Sequence, residues 1–451
     1  MKSFQVIEYQ DFTESDKCNG EFFDSLVAFS QIEGNECFIK HHKKAGVDYL
    51  KAQNYVGVIQ TKYGSLEILP KCFDDEVLQR EAKGDLEVSF VISKQRLKEL
   101  YRLENFENLS KEKLFDNKEL DKIGARAASR NFLIECLKLF SLLPKVAKSS
   151  FLQTSKFPLL DIFIQMFCQE FFEIYKRGIR HDYVNIQKNH SYLKGKLLLK
   201  EHLKHNLVSK ERFFTSNQEY LADIPQNRLI KTTLEFLKSK AVAHITLKQV
   251  NQALEFFRDI PRSKDFILDF KSCNASRHFS YYENILQWCK LFLEGNGFDI
   301  YSGDSRTYAL LFPMEKLFEK YVACMLKKHN NFPIQTQKSD KWLLAKDDKK
   351  RFKMSLDLHI ERNQEIIIAD TKWKQLTLDS NKHFGISQGD LYQLFSYAIY
   401  HEAKEVWLIY PRLYTQSMEE LSESIQKEIH ESKYIFGEKE ILLKILFAPL
   451  F

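Results

Sequence analysis

The chain has 451 residues, 44% of them hydrophobic, and carries 67 Lys and Arg against 61 Asp and Glu. That length suits roughly three domains of about 150 residues, and the apolar content excludes an intrinsically disordered chain. A net charge of +6 is too slight to demand a nucleic-acid partner, so the distribution of charge along the chain must decide that question. Eight cysteines without a CxxC pair argue against a disulfide scaffold or zinc ligands and fit the reduced thiols of a cytoplasmic protein. The opening MKSFQVIEYQDFTESD has no continuous apolar segment, and the most apolar stretch, 157–175, is interrupted by Asp161, Gln165, Glu170 and Glu173. Neither a signal peptide nor a membrane span is expected.

In chain order, short β-rich runs such as Val56 to Ile59 and Ser65 to Leu69, broken by Lys62, Gly64 and Pro70, predict a β-rich domain over 1–128. A helical stretch from Ile92 to Leu100 precedes a charged segment, 107–122, that reads as a linker or an exposed helix. Apolar residues then recur at helical spacing: Phe132, Cys136, Phe140; Phe163, Phe167, Phe171, Ile174; Leu229, Thr233, Phe236, Leu237. This predicts a mainly helical middle domain over 129–300. The glycine-containing segment 294–306 marks the last boundary, and an α/β pattern of helix, strands and helix fills 301–451. The expected fold class is α+β and multidomain.

The last segment carries the chemistry. FKMSLDLHI alternates from Phe352 to Ile360, which predicts one half-buried strand with Asp357 and His359 on its polar face. After a short polar turn, EIIIADTKWK reads as a buried strand with Asp370, Lys372 and Lys374 on one face. A hairpin would bring Asp357 and Asp370 together across the ladder. Two carboxylates and an ammonium suit phosphodiester hydrolysis, with hard oxygen ligands for Mg²⁺ and a compact cation for the charge developing on the phosphate. Upstream, Pro313 opens a helix with an apolar stripe at Met314, Leu317, Phe318, Tyr321 and Met325. Glu319 beside that stripe is either a third metal carboxylate or a solvated helix charge. Downstream, Gln393 and Tyr397 lie one turn apart on a further helix, as site residues or as packing against the sheet, and VWLIYP closes the unit as a strand. His359 is expected to be a neighbour, because Mg²⁺ prefers oxygen.

Basic residues are dense over 176–212. Lys188, Lys194, Lys196 and Lys200 there, with Lys374, are candidates for phosphate contacts, or else the run is a solvated surface. No G-x-x-x-x-G-K-[ST] loop occurs, so no nucleotide is expected to bind this chain by that route.

YVGVIQTKYGSLEILPK, GIRHDYV, YLKGKLLL, DIPQNRLIKTTLEFL, MEKLFEKYV, DLHI, IIIADTKWK, DLYQLFSYA and VWLIYP follow one another in an order that resembles the McrC family of restriction-system nuclease subunits. The resemblance covers most of the chain. It implies a C-terminal PD-(D/E)xK nuclease domain with Asp357, Asp370 and Lys372 catalytic and Gln393 and Tyr397 as the Q-x-x-x-Y helix. It also implies a separate McrB-like AAA+ GTPase hexamer as partner, contacted by the N-terminal part, and double-stranded DNA as substrate, commonly with modified cytosine. Leu356 stands where the motif's name puts proline, a position that contributes no ligand. The rival expectations are a non-catalytic adaptor of the GTPase ring, a stand-alone nuclease, and a nuclease subunit for an unmodified sequence.

Overall fold

The computed structural model describes residues 3–16, 18–73, 94–107, 124–139, 157–273, 281–294, 300–302, 305–339, 341–346, 349–413, 418–436 and 439–450. Ile92, Phe140 and the charged run 108–122 lie outside these. The chain forms two compact units, one made of Met1–Ser141 with Ile300–Phe451 and the other of Leu142–Asp299. This differs from the three-part division expected at residues 128 and 300, because both ends of the chain contribute strands to one sheet.

The first unit begins with β1 (Ser3–Ile7), β2 (Asp11–Phe12), α1 (Gly20–Ser30), β3 (Ile39–Lys44), β4 (Val47–Ala52), β5 (Tyr55–Gln60) and β6 (Ser65–Leu69). Next come α2 (Lys94–Leu100), α3 (Leu103–Phe106) and α4 (Ala125–Leu139). The β-branched runs of β5 and β6 fold back on each other through a turn closed by Thr61 N donating to Gly64 O at 2.8 Å. Phe12, Phe22, Phe23, Leu26, Ile59 and Leu66 build the core beneath them.

The second unit comprises α5 (Leu159–Arg177), β7 (Asp182–His190), β8 (Lys196–Leu197), α6 (Leu199–Asn206), β9 (Phe213–Leu221), α7 (Pro225–Lys240), α8 (His244–Phe256), α9 (Phe266–Ser272) and α10 (Glu283–Glu294). The helical periodicity is realised: Phe163, Phe167, Phe171 and Ile174 are buried along α5, and Leu229, Thr233 and Leu237 along α7. Asp161, which interrupts the apolar stretch, is itself buried and accepts hydrogen bonds from Val242 N and Ala243 N at the start of α8. Among the described residues no helix is long and apolar enough to cross a membrane. The mainly helical expectation misses a three-stranded sheet of order β7-β9-β8, whose strands β7 and β8 carry Lys188 and Lys196 of the basic run.

Returning to the first unit, the chain adds β10 (Ile300–Ser302), β11 (Ser305–Pro313), α11 (Met314–His329), β12 (Ile334–Lys338), β13 (Trp342–Lys346) and β14 (Lys349–Lys353). Then follow β15 (Leu356–Arg362), β16 (Glu365–Thr371), α12 (Gln388–His401), β17 (Glu405–Pro411), α13 (Met418–Glu428), β18 (Ser432–Phe436) and β19 (Lys439–Ala448). Strand β11 pairs antiparallel with β5 and completes a five-stranded sheet of order β1-β6-β5-β11-β10. Gly57 is essential to that seam. Its φ is +140°, and a Cβ there would stand 2.1 Å from the Leu310 carbonyl oxygen.

A second, six-stranded sheet runs β12-β15-β16-β17-β19-β18. Strands β15 and β16 form an antiparallel hairpin, whereas β16, β17 and β19 are parallel. Leu394 and Ala398 of α12 and Leu421 and Ile425 of α13 pack with Val406, Leu408 and Ile445 of the sheet in one core. The single strand expected from Phe352 to Ile360 is two. Phe352 has a left-handed φ of 56° and is exposed within β14, which forms its own hairpin with β13 and ends at Lys353, and β15 starts afresh at Leu356.

Candidate active site

The hairpin register decides which side chains meet. Leu358 faces Ala369, so the next position outward sets Asp357 against Asp370 at the open end of the ladder. Asp357 is held from one side: its Oδ2 accepts both the backbone N–H of Thr371 at 2.9 Å and the Thr371 hydroxyl at 3.0 Å. Asp370 is buried, and its carboxyl lies within hydrogen-bonding reach of Asp357. Burial first, and the Asp357 charge second, push it up to about 7 against the opposing pull of Lys372.

Lys372 continues the line of β16, its N–H donating to Ile409 O at 2.9 Å. Its Nζ is 2.7 Å from Asp370 Oδ2 and 3.5 Å from Asp390 Oδ1. The nearer contact is an ion pair, and Asp370 Oδ2 has no other hydrogen-bond partner among the described residues. Burial pulls the ammonium's pKa down, but Asp370, Asp390 and Asp357 together outweigh it and raise the value. Asp390 is the residue sequence reasoning missed. It sits in the first turn of α12, three residues before Gln393, and only the packing of that helix beside β16 brings it to the lysine.

Glu319, half-buried on α11, feels Asp357: burial raises its carboxyl, the Asp357 charge adds to the rise, and a hydrogen bond from Gln337 opposes it. Gln337 has a left-handed φ of 49° where the β12–β15 ladder skips the pair opposite Asp357, and its Nε2 reaches Glu319 Oε1 at 3.3 Å. That interruption of the pairing was not legible in the sequence. Gln393 Nε2 donates to Tyr397 OH at 3.0 Å, with Gln393 exposed and Tyr397 packed against the core. His359 is buried among other partners, 3.3 Å from Lys338 Nζ and 5.7 Å from the His401 ring. Lys374 does not extend the face shared by Asp370 and Lys372. The strand has ended at Thr371, Lys374 N turns back onto Lys372 O at 3.0 Å, and the side chain is exposed.

Among the described residues no group of three or more His, Cys, Asp or Glu side chains is arranged to hold a metal ion. The structure therefore brings Asp357 and Asp370 together as a pair, with Glu319 facing Asp357 without completing a triad. A pair is what Mg²⁺ uses when it keeps several of its waters, and the poorly satisfied Asp370 Oδ2 fits an incoming hard cation.

On the second unit, Lys188, Lys196 and Lys200 are exposed on β7, β8 and α6, whereas Lys194 is engaged by Glu219. Tyr183 and Tyr220 stand side by side across β7 and β9, their ring centroids 5.2 Å apart and both exposed.

The model of a family described as McrBC 5-methylcytosine restriction system component matches residues 50–411. The chain belongs to that family. Among solved structures, this McrBC component is similar to a chain in the refined half-complex from a tetradecameric assembly of Thermococcus gammatolerans McrB AAA+ hexamers with bound McrC. The TM-score is 0.58 at 16% identity, covering 98% of this chain and 94% of that one, which shows a shared fold. A chain of the cryo-EM structure of the Thermococcus gammatolerans McrBC complex aligns with TM-score 0.44 and 15% identity over 72% of this chain and 88% of that one. No curated protein matches the chain.

Proposed function

We propose that this McrBC component is the Mg²⁺-dependent DNA endonuclease subunit of a modification-dependent restriction system, with a PD-(D/E)xK site, activated by a separate AAA+ GTPase. The observation that carries the reading is the convergence of Asp357, Asp370 and Lys372 at the open end of one hairpin, with Asp370 raised and Lys372 paired to it. Asp357 and Asp370 would hold the cation, with Glu319 acting on Asp357 through charge or through a shared water. The cation supplies Lewis acidity and acidifies water at neutral pH.

The chain's own groups do the rest. The ammonium of Lys372, kept charged by Asp370 and Asp390, offsets negative charge as it builds on the phosphate and orients the attacking water. Thr371 locks Asp357 through two hydrogen bonds, so that carboxylate needs no reorganisation when substrate arrives. Gln393 and Tyr397, bonded to each other on α12, present a polar edge for the DNA backbone. The GTPase partner is proposed from the family and from the neighbour whose complex contains McrB AAA+ hexamers with bound McrC; the lack of a phosphate loop in this sequence agrees with a nucleotide handled elsewhere.

The test is cleavage of methylated and unmethylated plasmid by this chain with its GTPase, GTP and Mg²⁺, comparing wild type with Asp370→Ala. Wild type cuts and D370A does not, while GTP turnover by the partner is stimulated equally by both. Stimulated GTP turnover without cutting by wild type would replace this reading with the adaptor.

A further inference from the structure

Glu8 lies at the end of β1, far along the chain from the Asp370–Lys372 pair, and is fully enclosed at 1% exposure. Its Oε2 accepts two hydrogen bonds, one from the backbone N–H of Lys71 at 3.0 Å and one from the indole N–H of Trp373 at 2.9 Å. Its other oxygen, Oε1, is buried with no hydrogen-bond partner among the described residues. An acid in that setting is costly, and packing alone would favour an apolar residue. Burial pushes the Glu8 carboxyl up to about 8, with the Glu315 charge reinforcing the rise and the two hydrogen bonds and the Lys71 charge opposing it. The group is therefore a neutral acid near neutral pH, taking both N–H donors on its carbonyl oxygen.

Trp373 directly follows Lys372, at the point where β16 has ended and ladder pairing no longer fixes the chain. Its ring is stacked on Phe132 of α4 with centroids 6.0 Å apart, and it lies 5.2 Å from Phe318, the neighbour of Glu319 on α11. The indole thus touches the helix that carries Glu319, and the Glu8 bond fastens it to the turn after β6. Ring contacts fix the plane of the indole, but only a directed hydrogen bond fixes its rotation and its depth.

We propose that Glu8 is a positioning residue for the cleavage site: its bond to Trp373 holds the segment bearing Asp370 and Lys372 in register with α11 and ties it to the N-terminal sheet. This deepens the nuclease reading and rests on it.

The experiment compares Glu8→Ala, Glu8→Gln and Trp373→Phe in the full chain with its GTPase, GTP, Mg²⁺ and methylated plasmid. The measurements are kcat and KM for DNA, and hydrogen exchange across residues 370–376. E8A and W373F lower kcat about tenfold with KM and GTPase stimulation unchanged, since a small misplacement of a reacting group acts on turnover. Exchange over 370–376 quickens in both, E8Q stays within about twofold of wild type because its amide oxygen accepts the same two bonds, and the E8A/W373F double variant loses no more than either single. Wild-type kcat in E8A and W373F, or an E8Q loss as large as that of E8A, overturns the inference. The control is D370A. If wild type cuts, D370A does not and E8A does, only the positioning role falls; if D370A cuts like wild type, the nuclease reading falls and takes this inference with it.

Discussion

At the residue scale, Asp390 separates what spacing can say from what packing adds. The D-x-K pattern names Asp370 and Lys372, but under the proposed nuclease function the lysine needs a second counter-charge once Asp370 turns to a cation. Asp390, 3.5 Å from Lys372 Nζ, is placed to provide it. Asp390→Ala should lower cleavage by about tenfold, with Asp390→Asn intermediate, because the lysine loses part of its orientation and charge support. Single-turnover cleavage at saturating DNA measures this, and unchanged turnover in D390A would remove Asp390 from the site. Thr371 makes the same point. The residue between Asp370 and Lys372 has opposite parity and reads as featureless in sequence, yet it fixes Asp357 through its backbone and its hydroxyl.

At the scale of elements, the strands that sequence reads well are those whose burial is uniform. β17 and β16 are apolar runs that the sheet buries almost throughout, and their apolar parts are where the pattern places them, although β16 ends at Thr371 rather than reaching Lys374. The alternating stretch before Asp357 misleads, because Arg351, Phe352 and Lys353 are exposed on a hairpin arm and the alternation there reflects no core. The most exacting element contact is the β5–β11 seam at Gly57, where the Leu310 carbonyl fills the place of a side chain. Gly57→Ala should destabilise the first unit by about 1–3 kcal/mol through strain at positive φ and displacement of the ladder. Denaturant unfolding measures it, and a midpoint equal to wild type would show that the seam tolerates a Cβ.

At the scale of the molecule, Glu8 links pH to the stability of the first unit. Its carboxyl stands at about 8 in the folded chain against an ordinary value of 4.5, so the folded state holds the proton over a range where the unfolded chain has lost it. The stabilising contribution is full below the unfolded value and is lost as pH rises through about 8. Glu8→Gln carries no such proton, so the melting temperature of wild type should fall more steeply than that of E8Q between pH about 5 and about 9. Parallel curves in thermal scans would show that Glu8 does not titrate in this way.

The sequence by itself offered the candidate chemistry. Two aspartates and a lysine on two adjacent strands, a helix with Glu319 and a helix with Gln393 and Tyr397 are patterns read from short windows, and the order of motifs that resembles McrC is read along the chain without any contact. The tertiary structure decided which distant groups complete them. Asp390 reaches Lys372 only because α12 packs beside β16, Gln337 reaches Glu319 only where the β12–β15 pairing is interrupted, and Glu8 meets Trp373 only because both chain ends share one unit. Periodicity reports the face a residue presents, whereas contacts between residues far apart in the chain depend on how whole sheets close, which no short window of sequence contains.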